Sequence, residues 1–541
     1  LLNYVWFALL FLGIASAVYI DVSNIADNTY RNDVPLKALI QKSNVSAKTG
    51  FNVQADISPQ NYNKFCDAHE KSEIIISGIG SFSNDKKSIK LYLTVSQSSP
   101  EFIRMLAGAS GKDNDLLANA VIISKVDSTS YFANLYFEKV SFLTMKKVTN
   151  DSIEIAGTAV QIALGLIGIM AMWLGIMKVA EEAGLIKIIA KVLRPITQRL
   201  FPEVPPDHPA IGSMVMNISA NMLGLGNAAT PFGLKAMEEL DKLNPNKGTA
   251  TNSMVTFLAI NTAGMVFIPA TAIAVRAAAG SSDPTIIIAT SLFGSTCATI
   301  AGVTAAKVLE KFPIKKNAFG NWLKGNIRFL ITLISLFVIV VLTFATGFSK
   351  SIGSWFSFIS PSFFKDLITM VSTLAIPFLI FIFIGYGAIK KVKVYEQFVE
   401  GAKEGFNIAI RIIPYLVAML VAIAIFRAGG AMHNWLIPVL RIVTDPLGMP
   451  AEALPMALMR PLSGSGSLGV MAEIMSVYGP DSFIGILVST FFGSSETTFY
   501  VLAVYFGAVN IKNTRHALAA GLIADVAGML GALFIVKLLF G

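Results

Sequence analysis

The stretch from Asn217 to Gly233, NISANMLGLGNAATPFG, limits what this chain can fold into more than any other. It lies among segments apolar enough to cross a bilayer, yet it carries three asparagines, a serine, a threonine, glycines and a proline. In hydrocarbon an unpaired polar group costs several kcal/mol, so broken backbone at that depth persists only inside protein or along a wet cavity. The stretch therefore reads as the tip of a re-entrant hairpin. Arg460 to Gly469, where Ser463, Ser465 and Ser467 alternate with glycines, reads as its partner.

Of 541 residues, 54% are hydrophobic and only 14% charged, which is the balance of a polytopic membrane protein embedded in a lipid bilayer. The net charge of +9 does not signal nucleic acid, because the basic residues flank the apolar runs as topology determinants do. Cys66 and Cys297 fall in segments of different character, so neither a structural disulfide nor a metal centre is expected. No nucleophile–base–orienter set, phosphate loop or zinc-binding histidine pair is visible. No catalytic residue is assigned, and the chain is expected not to be an enzyme.

Residues 1–20 form an apolar run of spanning length, expected to stay as a transmembrane anchor although Ala15-Ser16-Ala17 would suit cleavage. Residues 21–150 are polar, with β-like runs at Glu73–Ser77, Ser88–Val95 and Ala118–Val126 between turn residues. They predict a small water-soluble α+β domain, structural or docking in role. Apolar spans follow at about 153–178, 250–277, 284–306, 325–348, 365–390, 406–428, 482–508 and 515–540, giving an all-α polytopic body. Two amphipathic stretches (184–200 and 431–444) and two broken ones (208–236 and 450–477) lie between them.

Lysine and arginine crowd one set of connections, for example Lys187, Lys191, Arg194, Lys242, Lys247, Lys311, Lys390 and Arg515. The opposite set holds few, among them Arg276, Lys350 and Arg427. The crowded side is cytoplasmic, which puts residues 21–150 outside an inner membrane. Residues 151–310 and 401–541, joined by linking helices over 311–400, repeat one order of parts: span, amphipathic segment, broken hairpin, two spans. By the charge count one unit enters from outside and the other from the cytoplasm, so the repeats are inverted. Inverted repeats with discontinuous elements are a mark of secondary transporters that bind solute near the midplane.

The residues expected to hold a solute or ion are Asn217, Asn221, Asn227 and Thr230 in the first broken segment, with Asn261 and Thr262 on the span after it. Asparagine offers a carbonyl and an amide, enough to ligate a cation or pair with a nucleobase-like edge, or equally to cap a half-helix. In the second unit they are Ser463, Ser465 and Ser467, then Ser494, Ser495, Glu496 and Thr497 on the next span. A carboxylate within a span is a functional-site hypothesis by default, so Glu496 leads as a solute ligand, ion ligand or proton carrier. The alternative for Glu496 is a buried pair with Arg460. Arg460 and Glu473 are a further candidate charge pair, while Arg276 and Asp283 are expected to be solvated in an outer loop.

Several segments carry a family resemblance. ALGLIGIMAMWLGIMKVAEEAGL, LFPEVPPDHPA, NISANMLGLGNAATPFGLKAMEEL and LNPNKGTATNSMVTFLAINT resemble the spore maturation protein A family, and RPLSGSGSLGVMAEIM and FFGSSETTFYVLAVYFGAV the spore maturation protein B family. The chain looks like a fusion of the two within the nucleoside-recognition, or gate, superfamily. GNAATP (226–231) and SSETTFY (494–500) are similar to segments of concentrative nucleoside transporters, which implies solute and sodium contacts around Asn227, Thr230, Ser494 and Glu496. The expectation is a bacterial inner-membrane transporter of a small polar or anionic solute, nucleoside-like or a small carboxylate. Sodium or a proton would couple transport, no bound cofactor is expected, and a homo-oligomer is a candidate state. The alternative is a non-transporting scaffold, or a spore-maturation-type factor, that docks a protein partner on its outer domain.

Overall fold

The computed structural model describes residues 2–47, 50–111, 114–224, 226–310 and 361–541, together with 327, 331 and 335. Apart from those three positions, the expected span at 325–348 lies outside the described residues. Two compact units make up the chain: 11–150 with 428–431, and the remainder.

The smaller unit is a closed antiparallel barrel of six strands in sequence order, β1 (Leu36–Ala47), β2 (Gly50–Ile57), β3 (Ile74–Phe82), β4 (Ser88–Thr94), β5 (Asp115–Lys125) and β6 (Ser130–Phe137). β6 pairs back onto β1, with Leu36 opposite Leu135 and Ile40 opposite Tyr131. Alternation of side chains across each strand fills the interior: Leu36, Ala38 and Ile40 on β1, Ile89, Leu91 and Leu93 on β4, Ala133 and Leu135 on β6. Two short helices, α2 (Pro59–Cys66) and α3 (Glu101–Ala109), add Tyr62, Phe65, Ile103 and Leu106 to the same core. This replaces the expected α+β domain by a β-barrel with two helices. Of the strands missed in the sequence, β1 and β2 alternate with Lys, Gln, Asn and Asp and so lack a continuous apolar signal, whereas the aromatic-rich β6 (SYFANLYF) carries one.

The chain enters and leaves the barrel at one place. The helix α1 (Leu2–Ala26) carries Asp21, 1% exposed, whose two carboxylate oxygens accept the backbone N–H groups of Thr144 and Met145, each at 2.9 Å. These are first-turn amides of α4 (Leu143–Glu182), so a residue more than a hundred positions away caps this helix. Asn32 acts similarly, donating to the Val140 carbonyl at 2.7 Å and accepting its N–H at 3.0 Å.

The larger unit is helical. Five described helices are long and apolar enough to span a bilayer: Asn3–Ala26, Leu143–Glu182, Ile287–Leu309, Val394–Ala428 and Ala517–Phe540. In chain order after α4 come α5 (Leu185–Leu200), α6 (Pro209–Met222), α7 (Gly226–Lys242), α8 (Asn252–Ala263), α9 (Ala270–Ala278), α10 (Ile287–Leu309) and α11 (Pro361–Ile389). Then follow α12 (Val394–Ala428), α13 (Ile437–Leu447), α14 (Leu454–Leu462), α15 (Gly464–Tyr478), α16 (Phe483–Ser494), α17 (Thr498–Ala508) and α18 (Ala517–Phe540). The spans expected at 250–277 and 482–508 are each two short helices, because Gly264 (φ 55°) ends α8 and the extended Ser495 ends α16. Small residues let the long helices approach closely. A Cβ on Gly302 would sit 2.9 Å from Ala524 Cβ, and one on Gly531 2.9 Å from Cys297, which packs α10 against α18. Gly401 and Gly405 of α12 lie against the Leu174 and Met170 carbonyls of α4 in the same way.

Two outcomes follow. Asp21→Ala removes the acceptor for two helix N-terminal amides; it should cost about 1 kcal/mol and speed hydrogen exchange at Thr144 and Met145. At the β5–β6 turn, Asp127 accepts the Thr129 amide at 2.7 Å, its hydroxyl at 3.0 Å and the Ser130 amide at 2.7 Å, and these bonds hold its carboxyl below the usual carboxylate value. The contribution is therefore complete at neutral pH and disappears as pH falls through the acid range, so Asp127→Asn should flatten the acid side of a melting-temperature profile.

Candidate functional site

Four interruptions of helix meet. In the first hairpin, Pro209 starts α6, with the His208 ring capping the Ala210 amide at 3.2 Å, and Gly224 (φ 78°) turns the chain before α7. The tip rests on the gap between α8 and α9: the Phe267 N–H donates to the Met222 carbonyl at 2.8 Å, and a Cβ on Gly224 would sit 3.0 Å from the Ile268 oxygen. In the second hairpin, Ser463 separates α14 from α15 and caps the Gly466 amide at 3.0 Å. A Cβ on Gly464 would lie 3.1 Å from the Thr497 hydroxyl, in the gap between α16 and α17.

The two gaps join. The Glu496 N–H donates to the Thr262 carbonyl at 2.8 Å, and a Cβ on Gly264 would fall 2.6 Å from Glu496 Cγ. Glycine at 264 thus serves a left-handed turn and a close approach together. Arg460, 4% exposed, donates through Nε to the Ser495 carbonyl at 2.8 Å and through Nη2 to the same oxygen. Its Nη2 is 3.5 Å from Glu496 Oε2, and its guanidinium lies 4.2 Å over the Phe492 ring. The Glu496 side chain keeps 47% of its surface exposed. One buried cation thus fixes the gap while leaving a carboxylate available beside it.

A second network lies on the other flank of the crossing. Asn217, fully buried, donates to the Ala229 carbonyl at 2.8 Å and to Tyr505 Oη at 3.2 Å. Asn221 donates to Asn261 Oδ1 at 2.9 Å, and Asn261 in turn to the Phe257 carbonyl at 2.9 Å. Asn217 Oδ1 has no partner, although it is buried. This leaves a buried amide acceptor without a donor among the asparagines and the tyrosine, a departure from the usual pairing of buried polar groups. The helix starting at Thr498 has no side-chain cap at Thr497, so its first amides also face the gap.

The sequence candidates divide accordingly. Asn217, Asn221, Asn261, Ser495, Glu496 and Thr497 come together at the crossing. Thr262 contributes its carbonyl, while its hydroxyl is spent on Leu258 and Ala259; Ser494 and Ser467 likewise bond carbonyls of their own helices. Ser463 and Ser465 stay at the hairpin tip, 3.4 Å apart. Thr230 on α7 is half-buried and already engaged, and the Asn227 side chain lies outside the described residues. The candidate Arg460–Glu473 pair does not form. Arg460 stands three residues before the tip and Glu473 ten after it, so they do not oppose each other, and Glu473 pairs with Arg427 at 3.0 Å.

Three groups of residues escaped the sequence reading. Tyr505 bridges the asparagine network, with no signal beyond its place in an apolar helix. Asp525 is 1% exposed within α18 and accepts the Thr498 hydroxyl at 2.6 Å; a lone carboxylate in an apolar run was its visible signal. Arg276, expected in solvent, is fully buried. It donates to the Pro480 carbonyl, Ser489 (3.2 Å) and Asp481 (2.8 Å), because α9 ends against the loop that precedes α16. Arg515, after α17, has the matching relation to the loop preceding α8, with bonds to the Ala250 carbonyl at 3.1 Å and Asn252 at 2.9 Å. A cavity of about 470 Å³ lined by Glu203, Asn244, Asn252 and Arg515 lies at that second junction and not at Glu496.

A family model described as Gate, nucleoside recognition, matches residues 163–310 and 409–512. Spore maturation protein B of Bacillus subtilis (strain 168) is 51% identical over 176 residues, 32% of this chain and 98% of that protein. Spore maturation protein A of the same organism is 45% identical over 178 residues, 33% of this chain and 89% of that protein. No solved structure matches.

Placing Ala at 264 tests the geometry. Gly264→Ala puts a methyl into Glu496 at a positive φ and should cost roughly 1–3 kcal/mol, read as a lowered melting temperature of the purified full chain.

Proposed function

The chain belongs to the spore maturation protein A and B families of nucleoside-recognition (Gate) membrane proteins, and on that premise we propose that it is a secondary transporter of a small polar or anionic solute, nucleoside-like or a small carboxylate. The observation that carries this reading is the Glu496–Thr262 bond between two interrupted helices, with a hairpin tip resting on each interruption. Hydroxyls and amines of a solute would bond the exposed Glu496 carboxylate and the open Asn217 oxygen. An anionic group would face Arg460 and the uncapped start of α17.

Inverted repeats with re-entrant hairpins are supported by the reciprocal loop contacts. The Arg276 junction joins two loops that the lysine and arginine distribution puts outside, and the Arg515 junction joins two that it puts in the cytoplasm. The same distribution puts residues 21–150 outside the inner membrane. Alternating access would move the hairpins and interrupted helices against the glycine-mediated α4–α12 pair, with sodium or a proton as coupling ion.

A second reading, a scaffold that binds a protein partner or another copy of itself, is favoured by outward apolar side chains on the barrel. These are Ile79 beside Tyr92, with Ile75, Ile123 and Phe132.

Thermal unfolding of the full chain against a panel of nucleosides and small carboxylates, with and without sodium, separates the readings. The transporter should be stabilised by one solute class, and Glu496→Gln should weaken the apparent affinity about 10- to 100-fold, the loss of a charged hydrogen bond. Asn221→Ala should weaken it less. Indifference to every solute, with capture of a partner through residues 21–150, would leave the scaffold.

A further inference from the structure

Asp525 takes no part in the solute contacts above, yet it is the most confined carboxylate near the crossing. It lies eight residues inside α18, about 12 Å along the helix, and is 1% exposed. Its Oδ2 accepts the Thr498 hydroxyl at 2.6 Å; its Oδ1 lies in no such close bond, with the Ser495 side chain as the other hydroxyl acting on the carboxylate. Arg460 acts electrostatically on both Asp525 and Glu496. With both carboxylates ionised, this group of three carries one excess negative charge; Glu496 is half-exposed, so the cost falls on the buried Asp525. Binding a single monovalent cation removes that charge.

The neighbouring elements supply no other neutralising group. The helices α8 and α16 hold no titratable side chain, and α14 holds Arg460 alone. Cys297 and Lys307 on α10 and Tyr500 and Tyr505 on α17 complete the set, with Lys537 and the preceding His516 at the ends of α18 itself. Lys307 sits in the last turn of α10 and is paired with Glu310 at 3.5 Å.

We propose that Asp525 is a proton-binding site of this protein, taking up one proton on Oδ1 while Thr498 holds Oδ2. An O–H bond forms on Oδ1 with a proton from water on the side to which the crossing is open, and breaks when the crossing opens to the other side. A proton suits the site better than sodium because this carboxylate is tightly confined, 1% exposed with one oxygen already held by Thr498; a proton needs no further ligands there and sodium needs several. As the coupling step, this rests on the transporter reading. As a protonation site it does not, since the test below uses no solute.

Infrared difference spectra of the full chain in lipid, recorded between acid and alkaline pH, read carboxylic-acid C=O bands directly. A deuterium-sensitive band should titrate in the wild type, remain in Glu496→Gln and vanish in Asp525→Asn. Thr498→Val keeps the carboxylate but removes a donor that favours its ionised form, so the midpoint should rise by about one pH unit. This variant decides the matter if Asp525→Asn does not fold. A band that survives Asp525→Asn, a midpoint unmoved by Thr498→Val, or a band removed by sodium at constant pH would overturn the proposal. A titrating Asp525 in a protein indifferent to every solute would instead remove only the transporter reading.

Discussion

An N–H or C=O group freed by a break in an apolar helix needs a partner from the protein around it, and the rest of this molecule answers that constraint. Interrupting α8–α9 and α16–α17 frees several such groups at each gap. The Glu496 amide finds the Thr262 carbonyl, the Phe267 amide finds the Met222 carbonyl, and the Arg460 guanidinium covers the Ser495 carbonyl. Each gap is completed by groups from the other gap or from a hairpin tip. None of the four interruptions is therefore an independent local feature, and loss of one strands polar groups in the others.

Close approach makes this exchange of partners geometrically available. Gly264 brings one gap onto Glu496, and Gly294 and Gly528 admit Ser494 between α10 and α18. The apolar surface lost by choosing glycine and alanine is small in lipid, where side-chain burial between helices gains little over lipid contact. Backbone proximity is what these positions supply. Away from the crossing, the Arg276–Asp481 and Arg515–Asn252 contacts tie α9 to the start of α16 and the start of α18 to that of α8, so the interrupted helices are fastened at their ends as well as at their gaps.

Composition and pattern carried much of this arrangement. The polar hairpin tips, the order of parts shared by the two helical segments, and Glu496 stood out because polar residues in apolar surroundings are costly. The gaps were harder to see. Residues 250–277 and 482–508 are apolar enough to read as single spans, although Gly264 followed by Pro269 marked one gap and the Ser494-Ser495 pair the other. Partner choice was not legible: Arg460 and Glu473 are near in sequence, but the hairpin turn at Ser463 sets them at unequal distances from the tip. Arg276 reads as a loop cation until the loop at Pro480 is known to cover it. In the barrel, β1 and β2, with polar residues at alternate positions, gave no clear run, since period-2 alternation in short runs is a weak signal.

The clasp at Asp21 and Asn32 gives the barrel one doorway through which the chain both arrives and departs. Entry and exit side by side are the geometry that tolerates insertion or removal of a whole module, because the chain's two ends at the module already meet. The Gate matches begin only at residue 163, beyond the doorway. The barrel's surface can thus change without altering the order in which the helices follow one another along the chain.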